Sequence, residues 1–236
     1  MTSDFYKRTE ALLGQGAIER LKAARVAVFG AGGVGSAAIE ALVRSGVGSI
    51  DIFDHDAISP SNLNRQLMTT SRNIGESKAV AAAERMKQIN PEAAITPWEL
   101  FYLPDTADKV DLSVYDYIID AVDTLTAKLL LVERAASAGV PIISSMGTGN
   151  KQDITRLRVS DIKKTEICPL ARRMRKELRE RGIDSLLCVW SDEKPMSAAD
   201  TGELKGDRPA PASAIFVPAA AGLLMAKEAI NAICEK

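Results

Sequence analysis

The sequence predicts an α/β fold, a Rossmann-like doubly wound and mostly parallel sheet with a mixed C-terminal extension. Strand and helix patterns alternate over the first 150 of its 236 residues, and a glycine-rich turn joins the first predicted strand to a helix. The segment 117–121 is almost wholly apolar, as a central parallel strand must be. The length suits one large domain over residues 1–236.

Residues 1–150 are expected to form a nucleotide-binding half, with ligands at the carboxyl ends of its strands. Hydrophobic periodicity, glycines and prolines set the expected element boundaries. The predicted strands are 25–29, 49–53, 95–100, 117–121 and 141–145, and the predicted helices are 10–23, 35–45, 78–89 and 126–138.

The order of elements changes in residues 151–236, which are expected to form a substrate-binding and dimerisation half. Strands are predicted at 155–159 and 186–190, a helix from Pro169 to Gly182, and a last helix from near Val217. Residues 192–213 lack periodicity and are rich in Pro, Gly and Asp, which predicts a mobile loop.

Composition favours a cytoplasmic globular protein, because 46% of the residues are hydrophobic and 26% are charged. Residues 1–10 have no apolar stretch of the kind that forms a signal peptide. The longest apolar run starts at Ile215, and Lys227 and Glu228 interrupt it before it reaches spanning length, so no membrane association is expected.

The cysteine pattern argues against disulfides and against zinc. Cys168, Cys188 and Cys234 are far apart, form no CxxC pair and are accompanied by one histidine, His55. A thiolate would be favoured at Cys168 if it starts the predicted helix, which leaves a sulfur or acyl carrier role open for that residue. His55 is expected to be structural.

A nucleotide site is predicted at the glycine turn, where Gly30, Gly32, Gly33 and Gly35 follow the first strand and open a helix. Glycines there allow the backbone to approach a phosphate at the positive end of a helix. Asp54, 19 residues after Gly35 at the end of the next strand, can accept hydrogen bonds from ribose hydroxyls. This spacing suits NAD as well as ATP.

Charged residues around this turn favour a triphosphate over NAD. Arg65, within the 61–66 segment SNLNRQ, and Lys78 at the start of the next helix can place two cations over one pocket. Asp123 at the end of the central strand is a candidate magnesium ligand, because a carboxylate facing phosphates needs a cation between them. Asp120 is expected to be a structural strand-end group. Arg8 is either a surface residue or a further phosphate contact.

These motifs resemble the family of the ubiquitin-activating enzymes and the thiamine and molybdopterin adenylyltransferases (HesA/MoeB/ThiF), over residues 5–236. The resemblance rests on GAGGVGS, the D-x-D end of the second strand, SNLNRQ, the lysine helix and the D-x-x-D strand end. It implies that Asp54 binds the ATP ribose and that Asn62, Arg65 and Lys78 contact the phosphates. It also implies that Asp123 binds Mg²⁺ and that Arg8 reaches the partner's ATP across a homodimer.

Sulfur-carrier branches of this family hold zinc with two CxxC pairs, and this chain has neither. Instead, segments 161–182, 188–195 and 216–218 resemble the tRNA threonylcarbamoyladenosine dehydratases. The resemblance implies adenylation of a carboxylate on a modified adenosine beside the anticodon, followed by cyclisation. The alternatives are an adenylating activator of a ubiquitin-like or sulfur-carrier protein and a nicotinamide dehydrogenase. An accessory sulfur-transfer or carrier protein is a further candidate partner.

The basic segment from Arg156 to Arg181 holds ten basic and four acidic residues, although the net charge of the whole chain is only −1. It is either a solvated helix face or a surface for tRNA phosphates. The candidate tRNA contacts are Arg172, Arg173, Arg175 and Lys176. Cys168 and Cys188 are expected to take no covalent part, because an intramolecular cyclisation needs no enzyme thiol.

Overall fold

In the computed structural model, which describes residues 4–197, 199, 202, 204–205 and 208–235, a seven-stranded sheet forms the centre. Its strands are β1 Arg25–Phe29, β2 Ser49–Phe53, β3 Ala94–Trp98, β4 Tyr117–Asp120, β5 Ile142–Ser145, β6 Leu157–Asp161 and β7 Leu187–Ser191. The helices of the described residues are α1 Lys7–Leu13, α2 Ala17–Ala23, α3 Gly33–Ser45, α4 Lys78–Ile89, α5 Leu125–Ala138, α6 Pro169–Glu180 and α7 Phe216–Cys234.

The strand order β3-β2-β1-β4-β5-β7-β6 confirms the doubly wound fold. All neighbouring strands are parallel except β6 and β7, and this antiparallel pair is the mixed extension that the sequence predicts. Val28 pairs with Ile52 of β2 on one side and with Ile119 of β4 on the other. The chain reverses its winding direction between β1 and β4, which places a ligand crevice at their carboxyl ends.

Apolar layers cover both faces of the sheet. On one face α7 packs so tightly against α3 that a Cβ atom at Gly222 would overlap the carbonyl oxygen of Val34. On the other face the rings of Phe29 and Phe53 stack at 4.3 Å, with Tyr102 edge-on to Phe29. Among the described residues α7 alone has the length and hydropathy of a membrane-spanning helix, but half of that stretch is buried, as in a core helix.

Most predicted boundaries lie within two residues of the observed ones, and two of the predicted elements need correction. The helix predicted over 10–23 is two helices, because Gly14 and Gly16 adopt φ values of +93° and +83° that a helix cannot continue through. The strand predicted at 155–159 runs two residues later, at Leu157–Asp161, because Asp153 accepts a hydrogen bond from the Thr155 amide and caps a short 3₁₀ turn.

Within residues 192–213, positions 198, 200, 201, 203, 206 and 207 lie outside the described residues, and the predicted mobility of this loop stays a prediction. The described part contains two short antiparallel strands, β8 Leu204–Lys205 and β9 Arg208–Pro209. Its end returns to the sheet, where the Asn150 amide donates to the Ala212 carbonyl at 2.8 Å.

Candidate functional site

A cavity of about 870 Å³ lies at the carboxyl ends of β1, β2, β4 and β5. Segments that follow these strands supply most of its wall, as the fold requires. The lining residues are 29–30, 32–34, 53–57, 59–62, 64–66, 78, 100–102, 121–124, 145–149, 170, 210–213 and 218.

The glycine turn between β1 and α3 forms the floor of this cavity. Gly30 has φ +91°, and a Cβ atom there would lie 2.7 Å from the carbonyl oxygen of Ala121. A Cβ atom at Gly35 would overlap the carbonyl oxygen of Gly30, so both positions require glycine for close approach. Gly32 and Gly33 line the cavity, where the first turn of α3 presents amide groups without intrahelical partners.

Asp54 connects the end of β2 to the glycine turn. Its Oδ2 accepts a hydrogen bond from the Ala31 amide at 2.7 Å, and its Oδ1 accepts one from the Asp56 amide at 2.9 Å. Burial raises the pKa of Asp54, while nearby Lys78 and these amides oppose the shift. Asp54, the predicted ribose ligand, therefore also stabilises the glycine turn.

The structure brings Arg65 and Lys78 to the same cavity. Arg65 donates to the carbonyl of Ser61 at 2.8 Å, and its aliphatic chain lies against Gly33. Lys78 is almost fully buried, and its Nζ lies 2.6 Å from Asp56 Oδ2. Arg65 thus lies beside the start of α3, and Lys78 lines the same cavity close to Asp54.

Asn62, predicted as a phosphate contact, lines the cavity but is mostly buried. Its Oδ1 accepts a hydrogen bond from the Ser59 amide at 3.1 Å and caps the turn of residues 60–62. This oxygen stabilises the segment that carries Arg65, so the structure shows a positioning contact for Asn62.

The carboxylate that ends β4, Asp120, and the one three residues later, Asp123, differ sharply in exposure. Asp120 is completely buried and contacts Lys128 and Ser144, which agrees with its expected structural role. Asp123 is exposed and lines the cavity, with the Thr124 hydroxyl 3.4 Å from its Oδ1.

Arg8 lies on α1 with an exposed side chain and is not among the described residues that line the cavity of its own chain. Arg8 therefore does not line the nucleotide cavity of its own chain.

Several lining residues were not predicted from the sequence. The rings of His55 and Phe101 stack at 4.0 Å, nearly parallel, at the ends of β2 and β3. Residues 145–149 are the last residue of β5 and the four that follow it, so the rule that ligands bind beyond strand ends could have found both groups. No local signal indicates residues 210–213, because Pro211 reaches the cavity by packing on Gly149, which is distant in sequence.

Helix α6 connects the cavity to the basic surface. Leu170 in its first turn lines the cavity, and Met174 and Leu178 are buried beneath the helix. Arg172, Arg173 and Lys176 are exposed, as a polyanion contact requires.

Among the predicted tRNA contacts, Arg175 also has a structural contact inside the protein, and its binding role stays a prediction. Its side chain is half-buried, and its Nη1 donates to the carbonyl oxygen of Thr165 at 2.6 Å and also contacts the Thr165 hydroxyl. The guanidinium thus stabilises the 162–165 turn, because buried carbonyls need donors.

Cys168 and Cys188 are both buried. Burial raises the pKa of Cys188 to about 12, which keeps this thiol protonated at neutral pH. Cys168 occupies the N-cap position of α6 beside Gly147, without a side-chain capping hydrogen bond, and the residue is only 3% exposed.

Residues 6–236 match the ThiF family. The chain belongs to the ThiF family. It is 38% identical over 230 residues to a tRNA threonylcarbamoyladenosine dehydratase of Bacillus subtilis (strain 168), covering 93% of this chain and 91% of the relative.

Solved structures of another relative agree with this ThiF-family assignment. The Escherichia coli tRNA N6-threonylcarbamoyladenosine dehydratase, TcdA, in complex with AMP has a TM-score of 0.89 and 32% identity, covering 98% of this chain and 94% of that one. The same enzyme in complex with ATP has a TM-score of 0.86 and 32% identity, covering 98% and 93%. The predicted family and fold are confirmed.

Proposed function

We propose that this ThiF-family chain is an ATP-dependent tRNA threonylcarbamoyladenosine dehydratase. It adenylates the carboxylate of the threonylcarbamoyl group and then closes a ring on the modified adenosine. The observation that carries the proposal is the single cavity in which the glycine turn, Arg65, Lys78 and Asp123 meet, in a chain that matches such enzymes along almost its whole length.

The cavity fits ATP in size and in charge. Its volume of about 870 Å³ lies within the usual range for small-molecule sites. The start of α3 attracts phosphate, and Arg65 and Lys78 add two cations to the same cavity. Asp54 retains lone pairs for ribose hydroxyls although it already accepts two amide hydrogen bonds.

The residues present also fit Mg²⁺. Magnesium is usually held by one or two carboxylates together with substrate phosphates and water, and Asp123 is an exposed carboxylate on the cavity wall. Bound between Asp123 and the phosphates, the ion would neutralise phosphate charge and remove the repulsion that the carboxylate alone would cause.

In the first step a carboxylate oxygen of the substrate attacks the α-phosphorus of ATP. The new P–O bond replaces the bond to the bridging oxygen, and pyrophosphate leaves. Arg65 and Lys78 stabilise the charge that develops on the phosphate oxygens.

In the second step a nucleophile of the same threonylcarbamoyl group attacks the activated carbonyl carbon, and AMP leaves as the ring closes. Because both reactants belong to one group, the effective concentration is high and an enzyme thiol is not required. The high pKa and the burial of Cys188 agree with this route.

The exposed face of α6 supports tRNA as the substrate. Arg172, Arg173 and Lys176 lie on the same helix as Leu170, which lines the cavity. Phosphates bound along this face would bring the modified base towards the cavity.

A homodimer is supported by the exposed apolar side chains of Leu12, Phe216 and Leu223. In such a dimer Arg8 would act on the partner's cavity.

This role of Arg8 is tested by mixing an Arg8→Ala chain with an Asp123→Asn chain. Each mixed dimer would then have one complete site, and an equal mixture should recover about a quarter of the wild-type activity. Failure of the mixture to recover activity, with mixed dimers shown by native mass spectrometry, contradicts this assignment.

The proposed function is tested with the purified protein, tRNA that carries threonylcarbamoyladenosine, ATP and MgCl₂. We expect the modified nucleoside to lose one water by mass spectrometry, with one AMP and one pyrophosphate formed per ring. Unchanged tRNA, together with pyrophosphate exchange that depends on a carrier protein ending in Gly-Gly, would favour the alternative of a carrier-protein activator.

A further inference from the structure

Beneath the cavity lies a polar cluster of Asp120, Lys128 and Ser144, which we call the buried triad. The side chains of Asp120 and Lys128 are 0% exposed. Lys128 Nζ lies 3.1 Å and 3.0 Å from the two Asp120 carboxylate oxygens and 3.1 Å from Ser144 Oγ. The Ser144 hydroxyl donates to Asp120 Oδ2 at 2.5 Å.

The triad joins three elements that carry the cavity wall. Asp120 ends β4, Ser144 lies in β5, and Lys128 lies in the first turn of α5. All three N–H groups of the lysine have an acceptor, so its position is fully determined.

The triad also controls the turn that leads to Asp123. Asp120 Oδ1 accepts a hydrogen bond from the Val122 amide at 3.2 Å, and Val122 and Asp123 both line the cavity. On the other side, Ser144 directly precedes the lining residues 145–149. The triad therefore sets the separation between the Asp123 turn and the loop after β5.

Stability alone does not account for these groups. Removing a lysine and an aspartate from water is costly, and apolar residues of similar volume often stabilise a core as well or better. Asp120 binds the Val122 amide, and Ser144 directly precedes the 145–149 segment. The charges of the triad therefore help to fix the geometry of both walls of the cavity.

We propose that Lys128 is a positioning residue for adenylation. Through Asp120 and Ser144 it holds the Asp123 turn and the 145–149 segment at the separation that binding of the ATP phosphates requires. This inference rests on the proposed function. Lys128 touches neither nucleotide nor acceptor, and its effect reaches the reaction through the position of the Asp123 carboxylate.

The test compares Ser144→Ala and the double variant Asp120→Asn with Lys128→Met against the wild-type protein. The double variant removes both charges together, so no buried charge is left without a counter-charge. Matched controls are Ser137→Ala, on the exposed side of α5, and Lys87→Met, on the exposed side of α4. Thermal unfolding establishes that each protein is folded at the assay temperature.

Two kinds of measurement, binding and kinetics, separate positioning from simple stabilisation. Calorimetry gives the Kd of ATP with and without Mg²⁺, and steady-state assays give kcat and the Mg²⁺ concentration at half-saturation. We expect the triad variants to bind ATP alone within about twofold of wild type but to lose roughly 10- to 100-fold in kcat and in the Mg²⁺-dependent part of the affinity, as groups that orient metal ligands do. The controls should match wild type in every quantity.

Folded triad variants with wild-type kcat and wild-type Mg²⁺ dependence would overturn the proposal. An equal loss of ATP affinity with and without Mg²⁺ would also overturn it, because the whole cavity would then have changed. Failure of the proposed function is a different result: the wild-type protein itself would not convert the tRNA.

Discussion

The glycine turn (residues 30–35) and helix α6 both contribute to one cavity, but they are built in opposite ways. The turn depends on backbone atoms in close approach, since side-chain atoms at Gly30 or Gly35 would meet backbone carbonyl oxygens. Helix α6 buries one apolar face and presents exposed basic side chains on the other.

This difference predicts how each region responds to change. A close-packed backbone has no room to adjust, so substitutions in the turn affect folding and nucleotide binding together. Exposed side chains on a helix can change without disturbing the core, so substitutions of the exposed basic residues of α6 should alter substrate affinity alone. We therefore expect the end of the cavity at the glycine turn to tolerate few substitutions, and the end at α6 to tolerate more.

The largest effect is expected from the two cations beside the glycine turn. Arg65→Met or Lys78→Met removes charge from the position where phosphate charge develops, and should lower kcat by roughly 100- to 1,000-fold. Adenylation is measured by pyrophosphate release with saturating tRNA. Lys87→Met, which removes an exposed charge elsewhere on α4, should be within twofold of wild type. An activity loss below about fivefold in both cavity variants would contradict the assigned roles.

A second comparison separates two glycines of the same turn. Gly35→Ala forces a Cβ atom onto the Gly30 carbonyl oxygen and should destabilise the protein by about 3 kcal/mol or more. Gly32→Ala meets nothing within 4 Å and has φ −74°, so its unfolding free energy should change by about 1 kcal/mol or less. Chemical denaturation measures both values, and equal stability of the two variants would refute the close-approach argument.

The sequence predicts the glycine turn well because its requirements are local. Gly30, Asp54 and Lys78 each follow or begin an element whose periodicity is plain, and parallel strands bring their carboxyl ends to one edge. The sequence does not show the structural contacts of these groups: Asp54 accepts a hydrogen bond from the Ala31 amide, and Lys78 contacts Asp56. Such pairings depend on side-chain direction, which spacing does not specify.

The sequence predicts α6 less completely, because its environment is formed by distant segments. Its basic residues are evident, but the inward contact of Arg175 with Thr165 depends on how the 162–165 turn folds back. The buried triad shows the same limit, since Lys128 interrupts the apolar run 127–132 of α5 and its partners come from two separate strands. Long-range packing decides which of several similar charges is structural.

The contrast within α6 can be tested directly. Arg172→Glu with Arg173→Glu reverses two exposed charges and should weaken tRNA binding by roughly 10- to 100-fold at low salt, with ATP affinity unchanged. Arg175→Ala should instead lower the free energy of unfolding by about 1–3 kcal/mol, because it removes the guanidinium donor of the buried Thr165 carbonyl. Filter binding over a salt series and denaturation measure the two effects. Unchanged tRNA affinity of the double variant would identify the basic face as a solvated surface.

The smallest expected effect concerns the pH dependence of ribose recognition. Burial raises the pKa of Asp54 above its usual 3.8, so the carboxylate becomes protonated, and loses acceptor capacity, at a higher pH than an exposed aspartate would. The preference for ATP over 2′,3′-dideoxy-ATP should be up to about tenfold at neutral pH and should decline as pH falls through that raised pKa. Taking the ratio of the two affinities cancels the titration of the phosphates themselves. Asp54→Asn, which cannot ionise, should show a weak preference that does not vary with pH, and a wild-type ratio that stays constant into the acid range would exclude Asp54 as the ribose ligand.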